Sequence, residues 1–252
     1  MSDGRCVSGF QPLLPGYEHW LVKFRHHLEP RDTGRAERAY AHMAESAGLV
    51  VPQTDLIAMR LNGKGEAFFA SKRFDREGDR KIHMLSLAGL LHASHREPCV
   101  EYEGTLAATR LLTQSQTEVV RMFRQMVFNV VTYNRDDHTK NFAFLYRDGS
   151  WKVSPAFDLA MSPNAGMNFH HMSAVNGESR HPTLGDVMAV ADQFDIADAK
   201  HVVAEVIEAA SGWKAFASLY DVGSETTSDI EERIGEMIEA MRPPTTPRPR
   251  GR

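Results

Sequence analysis

The sequence predicts an α+β fold in which a small lobe with an antiparallel sheet is followed by a mostly helical lobe. In the first 77 residues the elements come in the order strand, helix, hairpin, which differs from the repeating βαβ order of parallel-sheet proteins. From Gly78 onward the dominant periodicity is helical. We therefore expect lobes at residues 1–77 and 78–242, with a disordered Pro- and Arg-rich tail at 243–252.

Each element of the small lobe has a local signal. Trp20–Phe24 is a short apolar run with one lysine, which is typical of a strand. Arg35–Ala47 is rich in Ala, Glu and Arg, and the glycine that follows is suited to end the predicted helix. Two runs of β-forming residues, Leu56–Leu61 and Ala67–Phe74, flank Asn62-Gly63-Lys64-Gly65. This arrangement predicts a hairpin.

The second lobe is predicted mainly from helical periodicity. In Gln116–Tyr133 apolar residues recur at i, i+3 and i+4, which predicts a buried central helix. The strand-like runs Phe142–Tyr146 and Trp151–Val153 flank an Asp-Gly turn and predict a short hairpin. Further helices are predicted at Leu85–Ala93, Thr105–Leu112, Leu184–Gln193, Ala199–Ala210 and Ile230–Met241.

Composition narrows the classes of function. Hydrophobic residues make up 42% of the chain and charged residues 25%, which is ordinary for a globular protein. A net charge of −4 argues against a broad nucleic-acid-binding face, so we expect no direct nucleic-acid binding. With Cys6 and Cys99 as the two cysteines, the sequence has no disulfide framework. Without a signal-peptide pattern or a long apolar run, we expect a cytoplasmic protein with no membrane partner.

The segment Asn134–Asn141 carries the strongest chemical signal. It follows a buried helix, yet it holds five potentially charged side chains in eight residues. Charged groups beside a core are costly unless they are paired or bind something. The spacing Asp136-x-x-x-x-Asn141 equals that of the catalytic loop of protein kinases. Asp158 follows the predicted hairpin, so a second carboxylate stands where a kinase has its metal-binding aspartate.

The small lobe offers residues that suit the same chemistry. Lys23 lies in an apolar strand and Glu37 in the next helix, and in kinases a strand lysine contacts the phosphates and pairs with a helix glutamate. Lys72-Arg73-Phe74 closes the predicted hairpin and is a candidate hinge that would hold adenine through backbone groups. Each feature has an alternative interpretation: an edge-strand lysine whose stem covers apolar surface, a solvated helix charge and a charged edge strand.

The chain resembles the HipA family of toxin kinases. The resemblance rests on WLVKF, AERAYAHMAESAGLVVP, FFASKRFDR, KIHMLSLAGLL, FNVVTYNRDDHTKNFAFL and WKVSPAFDLAMS, which occur in the family's order over about residues 8–196. It implies a two-lobed protein-kinase-like fold, with ATP and Mg²⁺ between the lobes. The site residues that it implies are a catalytic Asp136, the Mg²⁺ ligands Asn141 and Asp158, Lys23 on the phosphates, Glu37 orienting Lys23, and His138 as a member of the catalytic loop.

The family's phosphate loop corresponds to Cys6–Leu13, which includes the candidate cofactor contacts Gly9 and Gln11. This loop departs from the family pattern, because Leu13 replaces a lysine and Ser8 replaces a glycine. Backbone amides can still cradle a phosphate without the lysine. The departure leaves open an alternative function, a degenerate kinase-like module that binds nucleotide or antitoxin without phosphoryl transfer.

The resemblance further implies partners that no motif in the sequence shows. They are a protein substrate phosphorylated on serine or threonine, such as an aminoacyl-tRNA synthetase, a helix-turn-helix antitoxin, and a small protein that supplies an N-terminal subdomain. A second alternative function is a metal-dependent hydrolase. The ligands that it would use are Asp136, Asp137, His138, Asp158, His170 and His171.

Overall fold

The protein folds into a small sheet-containing part followed by a larger, mostly helical part. The computed structural model describes residues 6–7, 9, 13–61, 64–162 and 170–243. All but the first residue of the predicted tail at 243–252 lies outside the described residues. Within them, no helix is both long enough and apolar enough to cross a bilayer.

Three antiparallel strands form the first sheet. They are β1 (Trp20–Val22), β2 (Thr54–Leu61) and β3 (Lys64–Lys72), in the spatial order β1-β3-β2. Leu61 pairs with Lys64, so two residues connect β2 to β3 and the predicted hairpin is confirmed. The two connecting residues themselves lie outside the described residues.

Helix α1 (Thr33–Ser46) lies between β1 and β2 in the chain and packs on the sheet. Its position confirms the predicted helix. Gly34 explains how closely it packs, because a Cβ at this position would lie 2.6 Å from the Ala67 carbonyl oxygen. After the helix, Gly48 has a φ of +77°, which glycine adopts at little cost. The chain therefore turns back from α1 into β2.

A second three-stranded sheet pairs one strand with a hairpin that comes later in the chain. Residues 73–75 leave β3 and lead into a two-stranded ribbon, β4 (Arg76–Glu77) and β5 (Arg80–Lys81). Strand β6 (His83–Ser86) then pairs with a hairpin of β7 (Ala143–Arg147) and β8 (Ser150–Val153), in the order β6-β7-β8. The hairpin was predicted from the sequence, but the strand beside it was not.

The helix predicted at Leu85–Ala93 is therefore wrong at its beginning. Leu85 and Ser86 pair with β7 as part of β6, and α2 occupies only Leu87–Leu91. The Ser86 hydroxyl accepts a hydrogen bond from the Gly89 amide at 3.1 Å and caps the helix. The apolar run thus serves a strand and a short helix in succession, which its periodicity alone could not separate.

The remaining helices are α3 (Tyr102–Thr113), α4 (Gln116–Val131), α5 (Leu184–Gln193), α6 (Ala199–Ser211), α7 (Trp213–Leu219) and α8 (Ser224–Ala240). Helix α4 is the central one, and α3, α6 and α8 pack against it. In α4 most of the apolar side chains are fully buried, as the periodicity predicted. Helix α7 was not predicted, because seven residues give little periodicity. Helix α8 begins at Ser224, before the predicted Ile230. The prediction missed this first part because its residues are polar and show no apolar periodicity.

Candidate active site

A cleft between the first sheet and the segment after β8 contains a cavity of about 320 Å³. This volume lies at the lower end of the range for small-molecule sites. Most of the lining is apolar, with one group of charged side chains around Lys23 and another, Lys72, Arg73 and Asp75, where β3 ends. The lining residues include Leu21, Ala41, Val51, Phe69, Met84, Ala156, Phe157 and Leu159, with Lys23, Glu37 and Asp158 at the charged end.

At the charged end of the cleft one lysine contacts two carboxylates. Lys23 follows β1 directly, and its amide donates to the Phe69 carbonyl of β3 at 2.9 Å. Its Nζ lies 2.8 Å from Glu37 Oε2 on α1 and also contacts Asp158 Oδ1. Burial disfavours the charged ammonium, but the charges of Glu37 and Asp158 outweigh this effect and raise the pKa of Lys23. Burial also raises the pKa of Glu37, against the opposing effect of Lys23.

The loop between α4 and β7 brings Asp136 to the same end of the cleft. Burial raises the pKa of the Asp136 carboxyl, and the negative charge of Asp158 raises it further, while His138 and Lys23 oppose the shift. His138 Nε2 lies 3.8 Å from Asp136 Oδ1. The side chain of Asp136 remains 45% exposed, so it is accessible to a substrate hydroxyl.

Asn141, near the end of this loop, bonds back to the residues around Asp136. Its Nδ2 donates to the Asp136 carbonyl at 2.8 Å, and its amide donates to the His138 carbonyl at 2.9 Å. Since Nδ2 is engaged, the Asn141 Oδ1 atom is the one available to a cation. Asp158 has a φ of +58°, a left-handed conformation that Asp tolerates better than most residues. Amide and carboxylate oxygens are the donors that Mg²⁺ prefers, and this ion commonly takes only one or two protein ligands beside phosphate oxygens.

The linker 73–75 forms one wall of the cavity. The Arg73 amide donates to the His19 carbonyl at 2.8 Å, and the Phe74 carbonyl accepts from Arg147 Nη2 at 3.0 Å. Within the described residues, the Arg73 carbonyl and the Phe74 amide have no hydrogen-bond partner. The Phe74 ring packs against Phe157, with the ring centroids 5.7 Å apart. One donor and one acceptor therefore remain beside an apolar wall, which suits the edge of a purine.

The side chains of the predicted hinge are engaged elsewhere. Lys72 Nζ contacts Glu18 Oε1, and Arg73 Nε donates to Asp75 Oδ1 at 2.7 Å. Both residues nevertheless border the cavity. A ligand in the cleft would meet this wall mainly through its backbone, and the contact of this segment with adenine stays a prediction.

Half of the residues of the predicted phosphate loop at 6–13 lie outside the described residues. Gly9 lies in an exposed turn, and the described residues that line the cavity do not include it. Ser8 and Gln11 lie outside the described residues. Leu13 is described, and its amide donates to Asp79 Oδ1 at 3.2 Å. The contacts proposed for Gly9 and Gln11 therefore stay predictions.

Of the histidines considered for a hydrolase, His138 lies beside Asp136, whereas His170 and His171 bond to other residues. His171 is buried against Asp137, with Nδ1 2.8 Å from Oδ2. His170 Nε2 accepts a hydrogen bond from Arg180 Nε at 2.6 Å. Among the described residues, no group of three or more His, Cys, Asp or Glu side chains is arranged to hold a metal ion. The geometry therefore does not support the hydrolase alternative.

Sequence reasoning assigned Asp137 only a supporting role and missed its partners. The structure shows that Tyr102 and Asn129 belong to the same buried hydrogen-bond network. A signal for Asn129 did exist, because this amide interrupts the apolar face of a helix predicted to be buried. Tyr102 gave none, since it lies before the predicted start of its helix at Thr105.

The fold and the cleft define a kinase-like protein, and comparisons with known proteins specify which kind. The model of the HipA-like C-terminal domain family matches residues 9–241, so the chain belongs to that family. Two curated proteins named "Putative kinase" are similar to it. One, from Haemophilus influenzae, is 26% identical over 189 residues, 64% of this chain and 54% of that protein. The other, Y4mE of Sinorhizobium fredii, is 28% identical over 109 residues, 39% of this chain and 26% of that protein. The chain thus spans about a quarter to about half of these curated relatives.

Two solved structures share the fold. HipA of Shewanella oneidensis MR-1, in its toxin–antitoxin complex with HipB and operator DNA, has a TM-score of 0.66 at 14% identity. The match covers 88% of this chain and 57% of that one. The Helicobacter pylori proinflammatory kinase CtkA has a TM-score of 0.57 at 15% identity, over 89% of this chain and 88% of that one. These neighbours confirm the predicted α+β, two-lobed kinase-like fold.

Proposed function

We propose that this chain is an ATP- and Mg²⁺-dependent protein kinase that phosphorylates a serine or threonine of a partner protein. The observation that carries the proposal is the convergence of Lys23, Glu37 and Asp158 at one end of a mostly apolar cavity, with Asp136 near enough to feel the charges of Lys23 and Asp158 and with Asn141 bonded to the Asp136 carbonyl. An apolar slot with a free donor and acceptor suits a purine, and the cationic and acidic end suits phosphates with a divalent ion.

The proposed roles follow from the contacts of each residue. The apolar lining of the cavity, which includes Phe69 and Leu159, would hold the adenine ring, and the linker backbone would bond to its edge. Lys23, oriented by Glu37, neutralises charge on the phosphates. Asn141 and Asp158 hold Mg²⁺, which supplies positive charge to the phosphate oxygens when it is bound.

Asp136 acts on the acceptor hydroxyl. Its carboxylate orients the hydroxyl oxygen for in-line attack on the γ-phosphorus and takes the hydroxyl proton. A new oxygen–phosphorus bond forms as the bond to the bridging oxygen of ADP breaks, so that ADP leaves. Positioning and charge stabilisation supply most of the acceleration in this chemistry, which explains why a few polar residues suffice.

The partners are proposed on the family relationship. A HipA neighbour forms a complex with HipB on operator DNA, which supports a DNA-binding antitoxin as a partner of this chain. We propose a role in a toxin–antitoxin system, with an aminoacyl-tRNA synthetase as the class of protein substrate. A separate small protein that supplies an N-terminal subdomain is a further proposed partner.

The test is transfer of label from γ-labelled ATP into proteins of a cell lysate, with Mg²⁺. Asp136→Asn should abolish the labelled band while it leaves the fold intact. Asp192→Ala is the matched control, because this carboxylate is exposed on α5 and lies away from the cleft. Equal labelling by wild type and Asp136→Asn would overturn the assignment. ATP binding without transfer by the wild type would instead support the degenerate-module alternative.

A further inference from the structure

Asp137, the neighbour of the proposed catalytic aspartate, faces away from the cleft. Its side chain is fully buried, whereas that of Asp136 is 45% exposed. Around the Asp137 carboxylate are the Tyr102 hydroxyl at 2.8 Å, His171 Nδ1 at 2.8 Å and the amides of Met172 and Ser173 at 2.7 and 3.2 Å. A buried carboxylate is tolerated only with such compensation, so four donors hold it in one place.

The hydrogen bonds continue from Tyr102 back to the start of the same loop. The Tyr102 hydroxyl accepts from Asn129 Nδ2 at 3.0 Å, and Asn129 Oδ1 accepts from Asn134 Nδ2 at 3.0 Å. We call these five residues, Tyr102, Asn129, Asn134, Asp137 and His171, the buried network. Each of them is 2% exposed or less.

Two residues of the buried network, Asn134 and Asp137, lie on either side of Asp136 in the chain. Asn134 and Asp137 enclose Arg135 and Asp136 within the loop, and both are tied to helices through Tyr102 on α3 and Asn129 on α4. The loop itself has few backbone bonds to a strand or helix, so side-chain bonds must fix its path. The residues that flank Asp136 are therefore held by rigid elements behind the cleft.

The buried network also holds the segment at residues 171–173, which follows Asp158 in the chain. The Asp137 carboxylate accepts the amides of Met172 and Ser173, and the Ser173 hydroxyl donates to the Asp137 carbonyl at 2.7 Å. One residue thus ties the loop of Asp136 to the segment at 171–173. Because a side chain and its own carbonyl both take part, rotation of the Asp137 peptide is blocked in two places.

We propose that Asp137 is a positioning residue, which sets the direction of Asp136 through the buried network without touching ATP or the acceptor. The inference rests on the proposed function for its catalytic meaning. Groups that orient a reacting residue from behind commonly change rates by about 10- to 100-fold, and a displacement of about 1 Å can have the same effect. Loss of such a positioning residue is therefore expected to lower the rate of transfer and to leave nucleotide binding largely intact.

The test compares Asp137→Asn and Tyr102→Phe with Thr109→Val. Thr109 is equally buried, but its hydroxyl bonds within α3 to the Thr105 carbonyl at 2.8 Å, so its loss removes a buried hydrogen bond outside the network. All variants are measured well below their unfolding temperatures, with γ-labelled ATP turnover and with direct binding of Mg·ATP. We expect kcat to fall by about 10- to 100-fold in the two network variants, with Mg·ATP affinity within about threefold of wild type.

A second readout separates this inference from the proposed function. Hydrogen exchange of the amides in residues 133–142 reports the anchoring of the loop whether or not the protein turns over ATP. We expect faster exchange there in Asp137→Asn and not in Thr109→Val. If the wild type transfers phosphate and all three variants behave alike, the inference falls and the function stands. If exchange is unchanged in Asp137→Asn, the anchoring is disproved directly. An inactive wild type overturns the proposed function and, with it, the positioning role.

Discussion

The ammonium of Lys23 contacts the carboxylate of Asp158 across the cleft. Lys23 belongs to the edge of the first sheet, and Asp158 to the segment that follows β8. Glu37, at 2.8 Å from the same ammonium, adds a connection to α1. The contact therefore links the proposed phosphate-binding group to the proposed metal-binding group.

Replacement of the lysine tests this link. Lys23→Met should lower ATP turnover by at least about 100-fold, because methionine carries no charge to neutralise the phosphates that Lys23 is proposed to contact. It should also lower the free energy of unfolding by about 1 kcal/mol, the low end for unpairing a buried group, since water partly screens Lys23 and Asp158. Urea denaturation and labelled-ATP turnover measure the two effects. Lys214→Met removes an exposed pair with Glu231 and should change neither by much. Equal behaviour of the two variants would contradict the prediction.

The raised pKa of Asp136 predicts how activity depends on pH. Transfer requires the carboxylate form, so kcat/KM should rise with pH through a pKa above that of an ordinary aspartate, because burial and Asp158 disfavour the charge. The acidic limb of the kcat/KM profile, which reports the free enzyme, measures this value. An acidic limb at or below the ordinary value of about 3.9 would show that burial does not act on Asp136.

The same shift makes a stability prediction with a definite sign. Between the ordinary pKa of aspartate and the raised pKa of Asp136, the folded state holds more protons than the unfolded state, so stability falls as pH rises through this window. Asp136→Asn should therefore be more stable than wild type above the window. The difference should vanish below it, where both states are protonated. Thermal unfolding at several pH values measures this, and a difference independent of pH would contradict it.

The sequence predicted the parts of the site that follow a pattern. Lys23 in an apolar strand, Glu37 in the next helix and Asp136-x-x-x-x-Asn141 after a buried helix are local signals. In the structure Lys23 contacts Glu37, Asn141 bonds to Asp136, and the charge of Lys23 acts on Asp136, while the roles of these residues stay predictions. The secondary-structure prediction failed where one apolar run forms the end of a strand and then a short helix. Leu85 suits either a helix or a strand, and only its pairing with Phe144 far along the chain decides between them.

The buried network could not be predicted for a related reason. Tyr102 and Asp137 are distant in sequence, and a hydrogen bond between them leaves no periodic trace. The contact of Arg147 with the Phe74 carbonyl is also invisible in sequence, because every residue has a carbonyl. Such contacts depend on how the elements pack, which patterns of apolar residues specify only coarsely.

Arg147 should support nucleotide binding through the linker. It donates to the Phe74 carbonyl at 3.0 Å and lies 2.6 Å from Glu77, so it holds the linker from the side of β7. Arg147→Gln should raise the KM for ATP by about 3- to 30-fold, since one hydrogen bond of a charged group is lost, and should leave kcat nearly unchanged. Arg121→Gln is the control, because this arginine pairs with Glu118 on α4. A fall in kcat at constant KM would show that Arg147 acts on the reaction and not on the linker.

Gly34 should be required for the position of α1. A Cβ at this residue would lie 2.6 Å from the Ala67 carbonyl oxygen and 2.9 Å from the Phe69 amide, and both are backbone atoms of β3 that cannot rotate away. Gly34→Ala should therefore push α1 from the sheet and lower the free energy of unfolding by about 1–3 kcal/mol. Since α1 carries Glu37, the distance from Lys23 to Glu37 should grow and Mg·ATP should bind more weakly.

Gly235→Ala provides a control of opposite sign for this last experiment. Gly235 is exposed in the interior of α8 and has open space around its Cα, so alanine there should stabilise the helix by about 0.5–1 kcal/mol. Urea denaturation and Mg·ATP titration of both variants make the comparison. If Gly34→Ala were as stable as Gly235→Ala, the close approach of α1 to β3 would not be a constraint. If it were destabilised but bound Mg·ATP as wild type does, the position of Glu37 would not depend on that packing.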